Sequence, residues 1–258
     1  MKALVTGAAR RLGRAMALAL AEDGHDVALH YSGSAEDARR TAAEIEALGR
    51  RAMLVQADLL DSRDTERVVP EAAEGLGGAL TVLVNNASIF EYDNIATITG
   101  ESWERAMGSN LRAPVFLTQA FAAQAPAAMR DANGEPRASA LVVNMIDQRV
   151  RKLTPEFMSY TLAKAALWAF TKTAAQGLAP RVRVNAIGPG PTLRGGRQSP
   201  EHFARQRAAT ILGRGADEAD ITAALRYFLA TPAVTGQLLC VDGGQHLAWE
   251  TPDVLGTE

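Results

Sequence analysis

A chain of 258 residues, 47% of them hydrophobic, can bury a large core, and α/β folds of this length are often one domain. A formal net charge of -2 leaves no electrostatic footprint for nucleic acid, and no apolar run approaches the length of a bilayer. Cys240 is the only cysteine, which excludes an intrachain disulfide or a cysteine-built metal cluster, and the histidines show no metal-ligand spacing.

The start, Met1 to Thr6, runs directly into a strand pattern without the zones of a secretory signal, so a cytoplasmic protein is expected. The apolar run Ala3-Leu4-Val5 stops at Thr6-Gly7, and from Leu12 to Leu20 apolar residues recur at helical spacing. Strand, glycine turn and helix together begin a dinucleotide fold. Gly7 can support the tight turn and Gly13 the close packing of the helix, while N–H groups at the helix start attract a pyrophosphate. The middle glycine of the usual fingerprint is replaced by Arg11, whose guanidinium can reach a phosphate or a substrate carbonyl.

Val27 to Tyr31 reads as a second strand. An acidic residue at its end would bind the ribose 2′-hydroxyl of NAD and repel a 2′-phosphate. This chain offers His30, Tyr31, Ser32, Gly33 and Ser34 there, with Arg10 nearby, so NADP is the expected cofactor. A helix over 34–48, capped by Ser34, and a third strand over 52–56 follow. Asp58-Leu59 would then sit at a strand end near an adenine, with Asp58 equally readable as a helix cap. Leu80 to Val84 is a fourth strand closing on Asn85-Asn86-Ala87-Ser88, small and amide side chains able to face a nicotinamide ribose.

Helical period runs from Ser102 to Gln124 with Asn110 in its middle. An asparagine inside a helix is mildly unfavourable, and here it is expected to hold a water between the helix and the active site. The turn-rich segment 131–136 is a loop before the fifth strand, Leu141-Val142-Val143. Val182 to Ile187 reads as a sixth strand broken by Gly188-Pro189-Gly190-Pro191. The segment 192–214 is rich in glycine and arginine and lacks a clean apolar period before Phe203, which suggests a mobile lid over the substrate, at about 189–215. A last helix over 221–229 and a last strand over 237–241, which buries Cys240, complete the pattern. Alternation of this kind makes one α/β domain, a Rossmann-type doubly wound sheet of about seven parallel strands with helices on both faces.

Chemistry concentrates at Asn144-Met145-Ile146-Asp147 and Ser159-Tyr160-Thr161-Leu162-Ala163-Lys164. Tyr160 and Lys164, four apart, share a helix face. At an effective dielectric of roughly 20, a positive charge ~4 Å away favours phenolate by up to ~4 kcal/mol, or about three pKa units. Lysine is scarce, occurring only at Lys2, Lys152, Lys164 and Lys172 among 27 basic residues. The buried strand before it would place Asp147 just past a strand end, facing that helix.

In order, T-G-x(5)-G at Thr6, N-N-A at Asn85, Asn110, Y-x-x-x-K at Tyr160, P-G at Pro189 and D-G-G at Asp242 resemble the short-chain dehydrogenase/reductase family along nearly the whole chain. Asp147 stands where that family usually has serine, and Arg11 where it has glycine. Both changes are similar to the pteridine reductase branch, which includes dihydromonapterin reductases, as are His30-Tyr31 and Asn85 to Phe90. The resemblance implies NADPH-dependent hydride transfer to a dihydropterin or dihydrofolate. The cofactor would lie against Gly7, Arg10 to Gly13, His30 to Ser32, Asp58, Leu59, Asn86 to Ser88, Met145, Pro189 and Gly190. The substrate would meet Arg11, Ser88, Phe90, Asp147, Phe157, Tyr160 and Gly190. Catalysis would rest on Asp147, Tyr160, Lys164 and Asn110, with Lys164 holding the ribose and lowering the tyrosine's pKa. Homodimers or tetramers are implied as well. The arginine that the branch often carries after H-Y-x is here Gly33.

An aspartate also has a chemical reason. Reducing C=N requires a proton at nitrogen, which a carboxyl bonded to Tyr160 can store and relay. The rival readings are a reductase or dehydrogenase of ordinary carbonyls or alcohols, and a non-catalytic NADP-binding sensor on the same fold.

Overall fold

Ala3 and Val5 of β1 (Lys2–Val5) join one buried apolar cluster and Leu4 joins another, because successive strand side chains point to opposite faces. A strand apolar on both faces has to be covered on both, as strands of parallel sheets are. The computed structural model describes residues 1–196 and 198–251 and shows that layering. Position 197, inside the expected lid, and 252–258, at the end of the expected domain, lie outside the described residues.

The strands that follow are β2 (Asp26–Tyr31), β3 (Ala52–Gln56), β4 (Val82–Asn85), β5 (Met129–Arg130), β6 (Pro136–Arg137), β7 (Ala140–Met145), β8 (Val182–Pro189) and β9 (Leu238–Val241). Seven of them form one sheet in the order β3-β2-β1-β4-β7-β8-β9, every pairing parallel. On one face α1 (Arg11–Glu22), α2 (Ala35–Ala47) and α8 (Glu218–Ala230) supply Met16, Leu20, Ile45, Ile221, Leu225 and Phe228. On the other, α3 (Ser62–Gly75), α5 (Ala113–Gln124) and α6 (Met158–Leu178) supply Val68, Val69, Leu117, Phe121 and Ala174. The fold is therefore the expected doubly wound α/β domain. Strand order reverses between β1 and β4, which puts the glycine turn and the Asn86-Ala87 turn side by side at the switch point.

Several local expectations change. The helix expected from Ser102 to Gln124 is two, α4 (Gly100–Met107) and α5, joined by a π-helical turn over Gly108–Arg112. Pro114 has no N–H to return to the Asn110 carbonyl, and the Ala113 N–H bonds Gly108, five residues back. The sixth strand does not break at Gly188: β8 stays paired with β9 through Gly188 and Pro189, and proline removes a donor only at the strand's last residue. Ser34 makes no side-chain cap to α2, and α3 is capped by Asp61 rather than by Asp58. Residues 131–134 turn between β5 and β6, which pair as a small antiparallel hairpin. The segment expected to be a lid holds one helix, α7 (Pro200–Ala208), with none of its residues buried. No helix among the described residues is long and apolar enough to cross a membrane.

Candidate active site

Past β1 the chain turns at Gly7, with φ +62°, and packs so closely that a Cβ at Gly13 would stand 2.1 Å from the Gly7 carbonyl oxygen. Arg11 also adopts the left-handed region, with φ +54°. Replacing the fingerprint's middle glycine by arginine thus keeps glycine's backbone conformation, at a cost of roughly 1–2 kcal/mol. The Asn86 amide braces the turn from β4, donating to the carbonyls of Thr6 (2.8 Å) and Gly7 (3.2 Å).

His30 supports the turn from behind. Its Nδ1 accepts from the Gly7 N–H at 3.1 Å, so the proton resides on Nε2, which faces the Ala57 carbonyl at 3.1 Å. Burial pushes this imidazole down to about 4. At neutral pH it carries no charge, which corrects the expectation of a direct cofactor contact here: both ring nitrogens are already used inside the protein. Arg11 departs from expectation too, because its guanidinium donates to the carbonyls of Arg194 (2.9 Å) and Leu193 (3.2 Å), tying the turn to the segment after β8. Arg10 lies 3.6 Å from Asp37. Leu12 packs on the first cluster, Leu59 is buried, and the Asp58 carboxylate accepts from the Leu60 N–H. Ser32, Gln56, Ala57, Asp58, Asp64 and Arg67 line an open cavity of about 250 Å3 beside the ends of β2 and β3.

On the other side of the switch point, β7 delivers Asp147 to the first turn of α6. The Tyr160 hydroxyl donates to Asp147 Oδ2 at 3.0 Å, and the exposed Ser88 lies near enough to lower its proton affinity slightly. Lys164 is 2% exposed, and its Nζ donates to the Met145 carbonyl at 2.8 Å. Burial pulls this ammonium down to about 8, opposed by the Asp147 charge. Burial raises the Tyr160 phenol well above its ordinary value, and the Asp147 charge adds to that. Burial likewise raises Asp147, against its bonds from the Arg149 N–H and Tyr160. Lys164 does not make Tyr160 acidic in this state, as the spacing had suggested. Its Nζ is 5.7 Å from the phenol ring centroid and engaged by a carbonyl, so desolvation wins. The result is a neutral phenol aimed at a carboxyl.

Phe90 lies beside this pair, its ring stacked on Phe157 at 4.3 Å and edge-on to Tyr160 at 4.7 Å. Phe157, at the start of α6, has φ +57°, a left-handed backbone that is uncommon for a bulky side chain and accompanies the stacked ring. Gly190 follows the half-buried Pro189 and donates to the Val241 carbonyl, in a place where a Cβ would lie 2.5 Å from Asp242 Cβ. Asn110 is fully buried, and its amide is taken by the Ile89 main chain, accepting from N–H and donating to C=O, each at 2.8 Å. Its side chain pins the loop bearing Ser88 and Phe90, a correction to the water-holding expectation.

Two contributors, Asp93 and Arg149, escaped sequence reasoning, and the mutual pairing of Asn85 with Asn144 was not foreseen. Asp93, 2% exposed, accepts from the Ser159 N–H at 3.1 Å and from Ser102 Oγ at 3.1 Å, while its carbonyl accepts from Met158. It caps α6 from outside, since Phe157 gives the helix no side-chain cap. Asn85 and Asn144 pair at 2.8 Å across β4 and β7, with Thr118 and Thr171 beyond them. Arg149 is the other. No local signal marks Asp93, whose partner Ser159 is 66 positions away.

A glycine turn at the switch point of a doubly wound sheet, facing a buried tyrosine and lysine on one helix, defines a Rossmann-type oxidoreductase. The chain belongs to the short-chain dehydrogenase/reductase family: the family model described as enoyl-(acyl carrier protein) reductase matches residues 7–246. Among solved structures it resembles FolM alternative dihydrofolate reductase 1 from Brucella suis in complex with NADP, at 44% identity and TM-score 0.90, over 98% of both chains. It also resembles the angucycline C-6 ketoreductase LanV with bound NADP, at 30% identity and TM-score 0.85, over 96% of both chains. The 3-oxoacyl-[acyl-carrier-protein] reductase FabG of Staphylococcus aureus (strain Mu50) is 31% identical over 250 residues, 95% of this chain and 98% of that one.

Proposed function

We propose that this protein is an NADPH-dependent reductase that transfers hydride to a ring carbon of a dihydropterin or dihydrofolate, with Tyr160 as proton donor backed by Asp147. The observation that carries this reading is the 3.0 Å bond from Tyr160 to Asp147 Oδ2 beside an aromatic stack. Its 44% identity to a NADP-bound dihydrofolate reductase supports it.

The residues present fit a dinucleotide. Arg10 gives α1 no side-chain cap, so N–H groups of the first turn are left for a pyrophosphate, and Arg10, Tyr31 and Ser32 would hold the 2′-phosphate. Reduced nicotinamide, when bound, supplies the hydride. Lys164, one helical turn beyond Tyr160, holds the ribose. Tyr160 gives its proton to a ring nitrogen while the hydride pair enters the new C–H bond, and a protonated Asp147 then restores the phenol. Phe90 offers a planar substrate a stacking surface, and the segment 189–215, tied to the turn through Arg11, closes over it as a lid. Exposed Trp103 and Phe116, on α4 and α5, support assembly of copies into a dimer or tetramer.

The second reading, reduction of ordinary carbonyls, is favoured by the likeness to FabG and LanV. A panel of quinonoid and 7,8-dihydropterins, dihydrofolate, ketones and 3-oxoacyl thioesters, followed by NADPH absorbance, separates the two. Asp147→Ser is expected to abolish dihydropterin reduction. Full activity on ketones alone in the wild type overturns the pterin reading.

A further inference from the structure

Arg149 stands against the pair formed by Asp147 and Tyr160. It lies on a 3-10 turn, Gln148–Val150, and donates its main-chain N–H to Asp147 Oδ1 at 2.8 Å. Its side chain turns back over Phe157, with Cζ 5.1 Å from the ring centroid, and Nη1 bonds the Thr154 hydroxyl and the Glu156 carbonyl. Nε is buried without a hydrogen-bond partner. The guanidinium belongs to none of the ion pairs found among the described residues, so no carboxylate cancels its charge at contact distance.

We propose that Arg149 is the positioning residue of the proton-delivery pair. Its main-chain N–H fixes Asp147 with Oδ2 toward Tyr160, and its guanidinium, braced on Phe157, supplies the positive charge that sets the pH at which the pair surrenders its proton. This rests on the reductase reading above and adds the group that tunes it. The position of the charge agrees: Arg149 lowers the proton affinity of both Asp147 and Tyr160, and its charge acts on Asp147 more strongly than that of Lys164. The other charged or titratable groups facing Asp147 are Tyr160 and Lys164 from α6 and Cys240 from β9, and the 86–99 loop contributes only the neutral Ser88 to Tyr160.

The proton reaching substrate leaves the Tyr160 O–H bond and is replaced from the Asp147 carboxyl, so activity falls as pH rises through the pair's apparent pKa. Removing a neighbouring cation raises that pKa. Arg149→Met and Arg149→Gln are therefore expected to move the alkaline limb of the kcat–pH profile upward by about one unit, a typical effect of one nearby charge. Arg149→Lys, which keeps the charge, is expected to stay near the wild type, and NADPH affinity and melting temperature to change little in all three. The profiles use whichever panel substrate the wild type reduces best. Failure on every dihydropterin then overturns the function proposed above, while the limb still tests this proposal. An unmoved limb with equal loss of kcat at every pH, or an equal shift in the lysine variant, overturns it.

Discussion

Around Gly7 the groups that brace the chain from within the protein are neutral, namely a neutral imidazole, the Asn86 amide and two glycines pressed against backbone, and the one charged tie is Arg11, a cation. Around Tyr160 they are charged or titratable, with Asp147, Lys164, Arg149 and Asp93 all at least half-buried. Both regions lie beyond the carboxyl ends of interior strands of one sheet. The difference follows from their tasks. A surface that receives a pyrophosphate needs shape and free N–H groups, and a fixed negative charge there would repel it. A site that moves a proton needs groups whose ionisation is open to adjustment, which desolvation and neighbouring charge provide.

The largest effect expected lies on the charged side. Tyr160→Phe removes the proton donor without disturbing the turn, so kcat should fall by about 10³-fold while NADPH affinity, read by fluorescence titration, stays within about two-fold. Retained turnover would break the contrast outright. On the neutral side, Gly13→Ala places a methyl 2.1 Å from the Gly7 oxygen and 2.6 Å from the Asn86 amide. It should cost about 3 kcal/mol in urea denaturation and weaken NADPH binding more than it changes kcat.

His30 sharpens the comparison through pH. Its folded pKa of about 4 lies below its unfolded value, so the unfolded chain binds more protons in between. Its stabilisation is complete above a pH of roughly 6.5 and is lost as pH falls toward 4, a loss of up to about 3 kcal/mol. Unfolding free energies measured across that window should fall less steeply in His30→Gln than in the wild type, with the remaining slope carried in part by His25, which burial also lowers. The smallest effect expected is at Asp93, where Asp93→Asn keeps an acceptor for the Ser159 N–H but gives up the charge at the α6 start. A loss of about 1 kcal/mol and a few-fold fall in kcat are expected, with Asp93→Ala clearly worse on both measures.

Apolar period and glycine placement carried the doubly wound class and its seven strands, because these depend on residues close in sequence, whereas the strand order and its switch point rest on pairings far apart in the chain. The Tyr160 and Lys164 pairing was equally legible, since a helix brings positions four apart onto one face. The π turn at Asn110 was not, because its side-chain partner Ile89 lies 21 positions away and the missing Pro114 donor leaves the apolar period unchanged. Arg149 was invisible for a different reason: spacing gives a charge no sign of which ring or carboxylate it will face.

By itself, then, the order of residues determined the doubly wound fold, the glycine turn and the identity of the phenol, amine and carboxyl candidates. Tertiary structure alone decided that His30 is neutral and inward, that Arg11 reaches across to the segment after β8, that Arg149 stands against Asp147, and that Lys164 is overruled by burial. Local patterns fix backbone geometry through short-range sterics and hydrophobic period. Ionisation depends on how much water is excluded and which distant charges arrive, and only the packed molecule sets those.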